Sequence, residues 1–268
     1  MEPVYIIFSF CLGIGLVVGL LAGMLGIGGG VIIVPALSYL LVHFLHLDTD
    51  LVMPMAIATS LSTIIFTGMS SAAAHYRLGN IDKKLVLYAG IGIAIGATLG
   101  AQFASHISGH LLKNIFAVLV MLIALQMVFG KREASKHTAT NKALGIVGGI
   151  TGFISALMGI GGGALLVPAL VWFQVNIRKA IGCAAVSGLI IAIFGSASFI
   201  IAGMKELTLP SGAIGYVYLP ATFGIVTTSI FTAGIGARLG QRMDTKVLKK
   251  VLAGLLVLVS IRMIVGIE

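Results

Sequence analysis

Charge is scarce in this sequence: 8 acidic and 17 basic residues among 268, or 9% of the chain, against about 25% in an average soluble protein. With 59% hydrophobic residues and a mean hydropathy of +1.13, a soluble core could not hide the apolar surface. The composition therefore excludes a soluble domain and implies an all-α polytopic membrane protein. Cysteine is nearly missing. Cys11 and Cys183 both fall inside apolar segments, which excludes a disulfide framework and leaves two small hydrophobes. The shortage of acids says more. Glu2, Asp48, Asp50, Asp82, Glu133, Glu206, Asp244 and Glu268 lie at segment ends, in loops or at termini, and none is a mid-membrane carboxylate. Cation carriers and proton pumps usually place Asp or Glu within the bilayer, so a metal-cation substrate is disfavoured. The net charge of +9 is spread over short loops and forms no basic domain, which argues against nucleic acid as a partner. The chain starts without a basic stretch before its first apolar run, so that run reads as a permanent helix and not a cleaved signal.

What the chain has in abundance is glycine, 36 residues, and part of it is patterned. The pentapeptide Gly-Ile-Gly-Gly-Gly occurs at Gly26–Gly30 and again at Gly159–Gly163, each time followed, after four intervening residues, by Pro35 or Pro168. Over Gly26–Leu37 and Gly159–Leu170, nine of twelve positions are identical at an offset of 133 residues. Gly15, Gly19 and Gly23 are matched by Gly148, Gly152 and Ala156 at the same offset, and Gly100-Ala101-Gln102 by Gly236-Ala237-Arg238. Such small-xxx-small rows let helices approach closely in lipid. The chain is read as two copies of one unit: a first repeat, 1–130, a polar linker, 131–142, and a second repeat, 143–268.

Apolar runs at 4–25, 29–46, 52–74, 85–105 and 111–130, then 142–158, 162–176, 179–203, 211–236 and 247–266, give about five segments to each repeat. If each Gly-rich motif separates two segments, the loops carrying 14 of the 17 basic residues share one side, and only Lys113, Lys205 and Arg262 fall opposite. The positive-inside bias then puts the linker in the cytoplasm and both termini outside, in an inner (plasma) membrane. An odd count of segments inserts the second repeat upside down, as in many secondary transporters. Parity does not separate full crossings from re-entrant hairpins.

Runs of glycine let the backbone turn sharply and expose N–H groups. Pro35 and Pro168 suit the first turn of a new helix, with Val34 and Val167 extended before them. Free N–H groups at a helix start favour an anion. The candidate substrate-binding residues are therefore Gly26, Gly28, Gly29, Gly30, Pro35, Gly159, Gly161, Gly162, Gly163 and Pro168, joined by Thr59 and Ser60 from a hydroxyl-rich third segment. His75, Arg77, Gln102, Ser187 and Arg238 are candidate pathway or gate residues. No metal site or other cofactor is read from the sequence; His43, His46, Asp48 and Asp50 read as a solvated loop.

The paired motifs, Ala58-Thr59-Ser60 and His75-Tyr76-Arg77-Leu78-Gly79-Asn80 together resemble the TauE/SafE family of sulfite and organosulfonate exporters over nearly the whole chain. The resemblance implies an inner-membrane carrier of small anions such as sulfite, sulfoacetate or related sulfur-containing acids. Gly182-Cys183-Ala184 replaces Ala58-Thr59-Ser60 in the second repeat, so the first is expected to carry more of the site. A secondary transporter working by alternating access is the leading reading; an anion channel and an intramembrane enzyme are the alternatives. The anion, the direction, a coupling ion (H⁺ or Na⁺) and the oligomeric state stay open.

Overall fold

The computed structural model describes residues 3–25, 29–129, 140–242, 253–254 and 256–263. The order of elements is α1 (Pro3–Leu25), α2 (Gly30–Leu45), α3 (Thr49–Arg77), α4 (Lys83–His106), α5 (Gly109–Phe129), α6 (Asn141–Met158), α7 (Gly163–Trp172) and α8 (Ile177–Gly203). A hairpin of β1 (Ala213–Ile214) and β2 (Val217–Tyr218) then leads into α9 (Leu219–Arg242), and residues 256–263 are helical again. Among the described residues seven helices are long and apolar enough to cross a membrane; α2, with 16 residues, and α7, with 10, are not among them. At 1.5 Å per residue they reach about 24 and 15 Å, short of a hydrocarbon core of about 30 Å. The protein is an all-α polytopic membrane protein whose Gly-rich motifs open two half-helices.

Side-chain capping fixes several helix starts. Asp82 accepts from the N–H groups of Lys84 and Leu85 to open α4, Thr140 from Ala143 to open α6, and Asn176 from Arg178 to open α8. The cap at Thr140 starts α6 at Asn141, inside the stretch expected as linker; Lys131–Ala139 lies outside the described residues.

The repeat shows itself in crossed helix pairs. Gly15 and Gly19 of α1 pack against Ile225 and Ser229 of α9, and Gly148 and Gly152 of α6 pack against Ala89 and Ile93 of α4. The second pair of contacts is the first shifted by the repeat, 133 residues on α1 and 136 on α9, the same shifts that relate Gly23 to Ala156 and Gly100 to Gly236. Gly236 on Leu20 and Gly100 on Phe153 form a third matched pair. Each half thus lends its first helix to the other. In both pairs residue numbers rise together, so the helices run parallel. The equivalent helices α3 and α8 run antiparallel: Leu61 meets Gly195, Leu189 meets Gly68 and Asn80 meets Gly182. Equivalent helices packed antiparallel are related by a two-fold axis perpendicular to both, which is the inverted arrangement expected.

These directions sort the charges. The C-terminus of α3 and the N-termini of α4, α6 and α8 share one end of the bundle, bringing together Arg77, Lys83, Lys84, Lys142, Arg178 and Lys179. Here Lys179 Nζ lies 3.0 Å from Asp82 Oδ2, and this ammonium holds the Asp82 carboxyl below the usual carboxylate range. The opposite end holds a recess of about 610 Å³ lined by Asp48, Asp50, His106, Glu206 and Tyr216. Burial, with the Glu206 carboxylate beside it, pushes the Tyr216 phenol up to about 12.

Two local expectations need correction. The apolar run at 211–236 is not one helix: Gly212 and Gly215, at φ of 89° and 53°, turn it into the hairpin before α9. The second is the start of α2 and α7. They begin at the last glycine of each motif, so Pro35 and Pro168 are inside them and Val34 and Val167 are helical, not extended. Glycine leads the first turn, whose N–H groups lack intrahelical partners in any case, and proline removes a bond one turn later. The runs at 29–46 and 162–176, which parity left open between full crossings and re-entrant hairpins, are half-helices, the latter stopped by Gln174 at φ 62°.

Candidate functional site

The α1–α2 hairpin enters from the acidic end and the α6–α7 hairpin from the basic end, and their tips touch. Gly29, Gly30 and Gly159–Gly162 are all buried. A Cβ on Gly30 would collide with the Gly159 carbonyl oxygen and lie 2.9 Å from Ser60 Oγ. Gly159, at φ 62°, ends α6 in a left-handed turn: its N–H donates to Ala156 O and that of Ile160 to Ser155 O. Ser60 on α3 and Ser187 on α8 stand beside the junction, each in the middle third of its helix. The motifs are therefore interior breaks, not surface turns. Gly26 and Gly28 lie outside the described residues.

The junction offers hydrogen-bond donors. No acceptor among the described residues takes the N–H groups of Gly161, Gly162, Gly163 and Ala164 at the start of α7. Two tyrosines apart, every buried polar side chain among the described residues is a serine or a threonine. A half-helix N-terminus amid neutral hydroxyls presents partial positive charge without a cation, an arrangement suited to a small anion.

The expected hydroxyls are largely committed to the protein. Ser60 Oγ donates to Gly159 O at 2.7 Å, tying α3 to the second motif, and Thr59 Oγ1 accepts the Tyr218 N–H at 2.9 Å. Thr63 Oγ1 donates to Ser60 O, and Ser62 Oγ lies 2.7 Å from both Thr59 O and Thr222 Oγ1. Among the described residues four buried groups have no hydrogen-bond partner instead: Ser155 Oγ, Ser187 Oγ, Ser196 Oγ and Tyr218 OH. Sequence reasoning singled out Ser187 but passed over Ser155 and Tyr218. A signal for Ser155 existed. Thr151 and Ser155 in α6 stand where the first repeat has Val18 and Ala22, a polar pair replacing an apolar one at the offset of 133.

The remaining candidates disperse. Pro168 is exposed on α7 and Pro35 half-buried on α2, so neither lies at the junction. Gln102 Nε2 donates to Ser198 Oγ at 2.9 Å, bridging α4 to α8. At the basic end His75 Nδ1 lies 3.3 Å from Asn80 Nδ2, and Arg77 is exposed. Arg238 is on α9, and its side chain lies outside the described part. At the acidic end His43 stacks on Tyr39, with centroids 3.9 Å apart, and Asp50 Oδ1 accepts the Gly109 N–H that begins α5.

Inverted repeats whose broken helices meet inside the bundle define an integral membrane protein with an architecture common among transporters. Comparison with known proteins agrees. The family model described as Sulfite exporter TauE/SafE matches residues 11–263. A probable membrane transporter protein of Haemophilus influenzae is 38% identical over 258 residues, covering 94% of this chain and 96% of that protein. The probable membrane transporter protein YunE of Bacillus subtilis is 28% identical over 279 residues, covering 96% and 97%. One of Methanocaldococcus jannaschii is 25% identical over 246 residues, covering 91% and 90%. No solved structure matches the chain. The chain belongs to the sulfite exporter TauE/SafE family and is a membrane transporter.

Proposed function

We propose that the protein is a secondary transporter, an exporter, of a small anion such as sulfite, sulfoacetate or another sulfur-containing organic acid. The observation that carries this reading is the buried meeting of the two motifs, where the start of α7 presents unpaired N–H groups among neutral hydroxyls. Burial of the junction favours a carrier over a channel, because a channel needs a continuous wet path whereas a carrier closes over its site. The inverted halves supply two opposed hairpins, and rocking one against the other would open the junction first to one end and then to the other. The positive-inside rule places the basic end in the cytoplasm and both termini outside, in the inner membrane. A mouth rich in Arg and Lys would gather anions on that side, and the carboxylates of Asp48, Asp50 and Glu206 would discourage their return.

Efflux from sulfite-loaded proteoliposomes tests the reading. Gly162→Val drives extra methyls toward Ile191 Cδ1, already 2.9 Å from where a Cβ would sit, and Gly29→Val forces a β-branched residue to φ 69°. Both variants should lose flux while eluting as folded protein in detergent. Wild-type efflux from either would refute the assignment of the junction as the transport site.

A further inference from the structure

An offset of 124 residues relates α3 to α8: Ala58, Thr59, Thr63 and Gly79 correspond to Gly182, Cys183, Ser187 and Gly203. Continued past the helices, it pairs Asp82 with Glu206 and Met55 with Lys179. Equivalent places at the two ends of the bundle therefore hold different residues. At the basic end the α3–α4 loop, residues 78–82, lies on α8. A Cβ on Gly182 would collide with the Asn80 carbonyl oxygen, and Asp82 Oδ2 meets Lys179 Nζ at 3.0 Å. Beneath the loop α8 carries Lys179, Cys183 and Ser187, each one turn from the next. This row runs from exposed Lys179 to the junction, where Ser187 Cβ is 3.8 Å from the place a Cβ on Gly162 would take. Cys183, midway, is fully buried, and its thiol feels both Ser187 and the Asp82 charge. The loop of one repeat thus covers the way from the junction to the basic end along a helix of the other.

The fastening of this cover is weak. The loop is bound firmly to its own repeat: the Gly79 N–H donates to Tyr76 O, that of Asn80 to His75 O, and Asp82 caps α4. Among the described residues only the bond from Lys179 to Asp82 ties it to α8. The Lys179 side chain is 54% exposed, and an ion pair so placed is weak and screened by salt. The acidic end is fastened otherwise. Met55 stands where Lys179 would, and the Glu206 carboxylate accepts instead from Tyr216 OH at 3.3 Å. The connection there covers 204–218, and its hairpin is fixed to α3 by buried bonds. The Tyr218 N–H donates to Thr59 Oγ1 at 2.9 Å, and Thr222 Oγ1, one turn into α9, lies 2.7 Å from Ser62 Oγ. Such bonds, shut off from water, are costly to open. Cys11, fully buried on α1, adjoins Tyr218.

We propose that Asp82 and Lys179 are the latch of a gate at the basic end, where the 78–82 loop of the first repeat closes over α8 of the second, and that this gate opens more readily than the hairpin gate at the acidic end. Neither residue touches the substrate; they hold the cover. Parting the ion pair frees the loop from α8 and uncovers the row from Lys179 to Ser187, with Cys183 in its middle. This rests on the reading of the junction as the transport site and adds which of its two exits yields first. Because the latch is ionic, its strength falls as salt rises, whereas the buried neutral bonds at the acidic end do not respond.

The two native cysteines report on the two gates. The full chain in proteoliposomes is treated with N-ethylmaleimide, a small uncharged thiol reagent, and adducts at Cys183 and Cys11 are followed by mass spectrometry. In the wild type Cys183 should react faster than Cys11. Lys179→Met, which installs the residue of the first repeat, should speed the reaction at Cys183 about two- to fivefold, the range open to an exposed ion pair, and leave Cys11 unchanged. Asp82→Asn, which keeps the helix cap, should do the same, and Lys179→Arg should keep the wild-type rate. Raising salt from about 10 mM to about 1 M should speed Cys183 in the wild type but not in Lys179→Met. A Cys183 rate that ignores both salt and Lys179→Met overturns the latch, as does equal acceleration at Cys11, which would mean general loosening. Faster reaction at Cys11 than at Cys183 in the wild type overturns the order of the gates. Sulfite efflux is followed in the same vesicles: its absence in the wild type refutes the transport reading, whatever the cysteines show.

Discussion

Ser60→Ala removes the hydrogen bond that holds the two motifs together. The bond is 2.7 Å long, its donor is fully buried, and its acceptor is the carbonyl of Gly159 on the opposite repeat. A typical intramolecular hydrogen bond contributes about 1 kcal/mol net, and stranding the buried carbonyl costs about 1–3 kcal/mol more. The cavity left by one hydroxyl is too small to hold a water that would repair the loss. A loss of about 2–3 kcal/mol is expected, which lowers the unfolding midpoint by roughly 5–10 °C for a chain of this size. Ser9→Ala is the control: Ser9 is exposed and donates to Tyr5 O in its own helix, so its removal should change stability by less than about 0.5 kcal/mol. Thermal unfolding of both variants in detergent decides the matter. Equal midpoints for Ser60→Ala and the wild type would show that Ser60 does not tie the motifs together, and the contact at Gly30 would then need another cause.

Two further outcomes follow from polar links between helices. Thr59→Val keeps the shape of the side chain but withdraws the acceptor of the Tyr218 N–H; with that N–H unpaired among buried neighbours, about 1–3 kcal/mol should be lost in the same unfolding assay. At the basic end, Asp82→Asn keeps the helix cap and removes the charge facing Lys179. Because the Asp82 carboxyl titrates below its unfolded value, its contribution is complete above about pH 4 and is lost as pH falls through the lowered folded value. The stability gap between wild type and variant should hold steady at neutral pH and close on acidification; a gap that widens would refute the pairing.

Much of this architecture was readable because the repeat is nearly exact and glycine leaves little ambiguity. The offset that aligned Gly15 and Gly19 with Gly148 and Gly152 also identified the surfaces that cross between halves, and the odd count of segments gave the inversion that α3 and α8 show by running antiparallel. Features that depend on partners far along the chain were not readable. Nothing local tells that Thr59 accepts from Tyr218 or that Ser60 reaches Gly159, so the bonds that engage these two hydroxyls within the protein were not legible. The hairpin before α9 was hidden for a different reason. Tyr216, Val217, Tyr218 and Leu219 are as apolar as the helix that follows, and hydropathy does not register two glycines turning the backbone. The prolines misled by position, since the glycine before each half-helix had already supplied its flexible first turn. The contrast of Val18 and Ala22 with Thr151 and Ser155 was present in the sequence and needed only the two copies to be compared by their differences.

The crossing of first helices between halves also sets an order of assembly. The α4–α6 pair can form soon after synthesis, because fewer than forty residues separate His106 from Asn141. The α1 helix is made first, but its partner α9 begins only at Leu219. At 5–20 residues per second, α1 waits on the order of ten to forty seconds in lipid with its glycine face uncovered. That wait is harmless, since a glycine stripe in hydrocarbon exposes no polar side chain, and it makes the docking of α9 onto α1 a late step of folding. A chain cut at the linker would yield two fragments, each lacking the groove that its own first helix was shaped to fill.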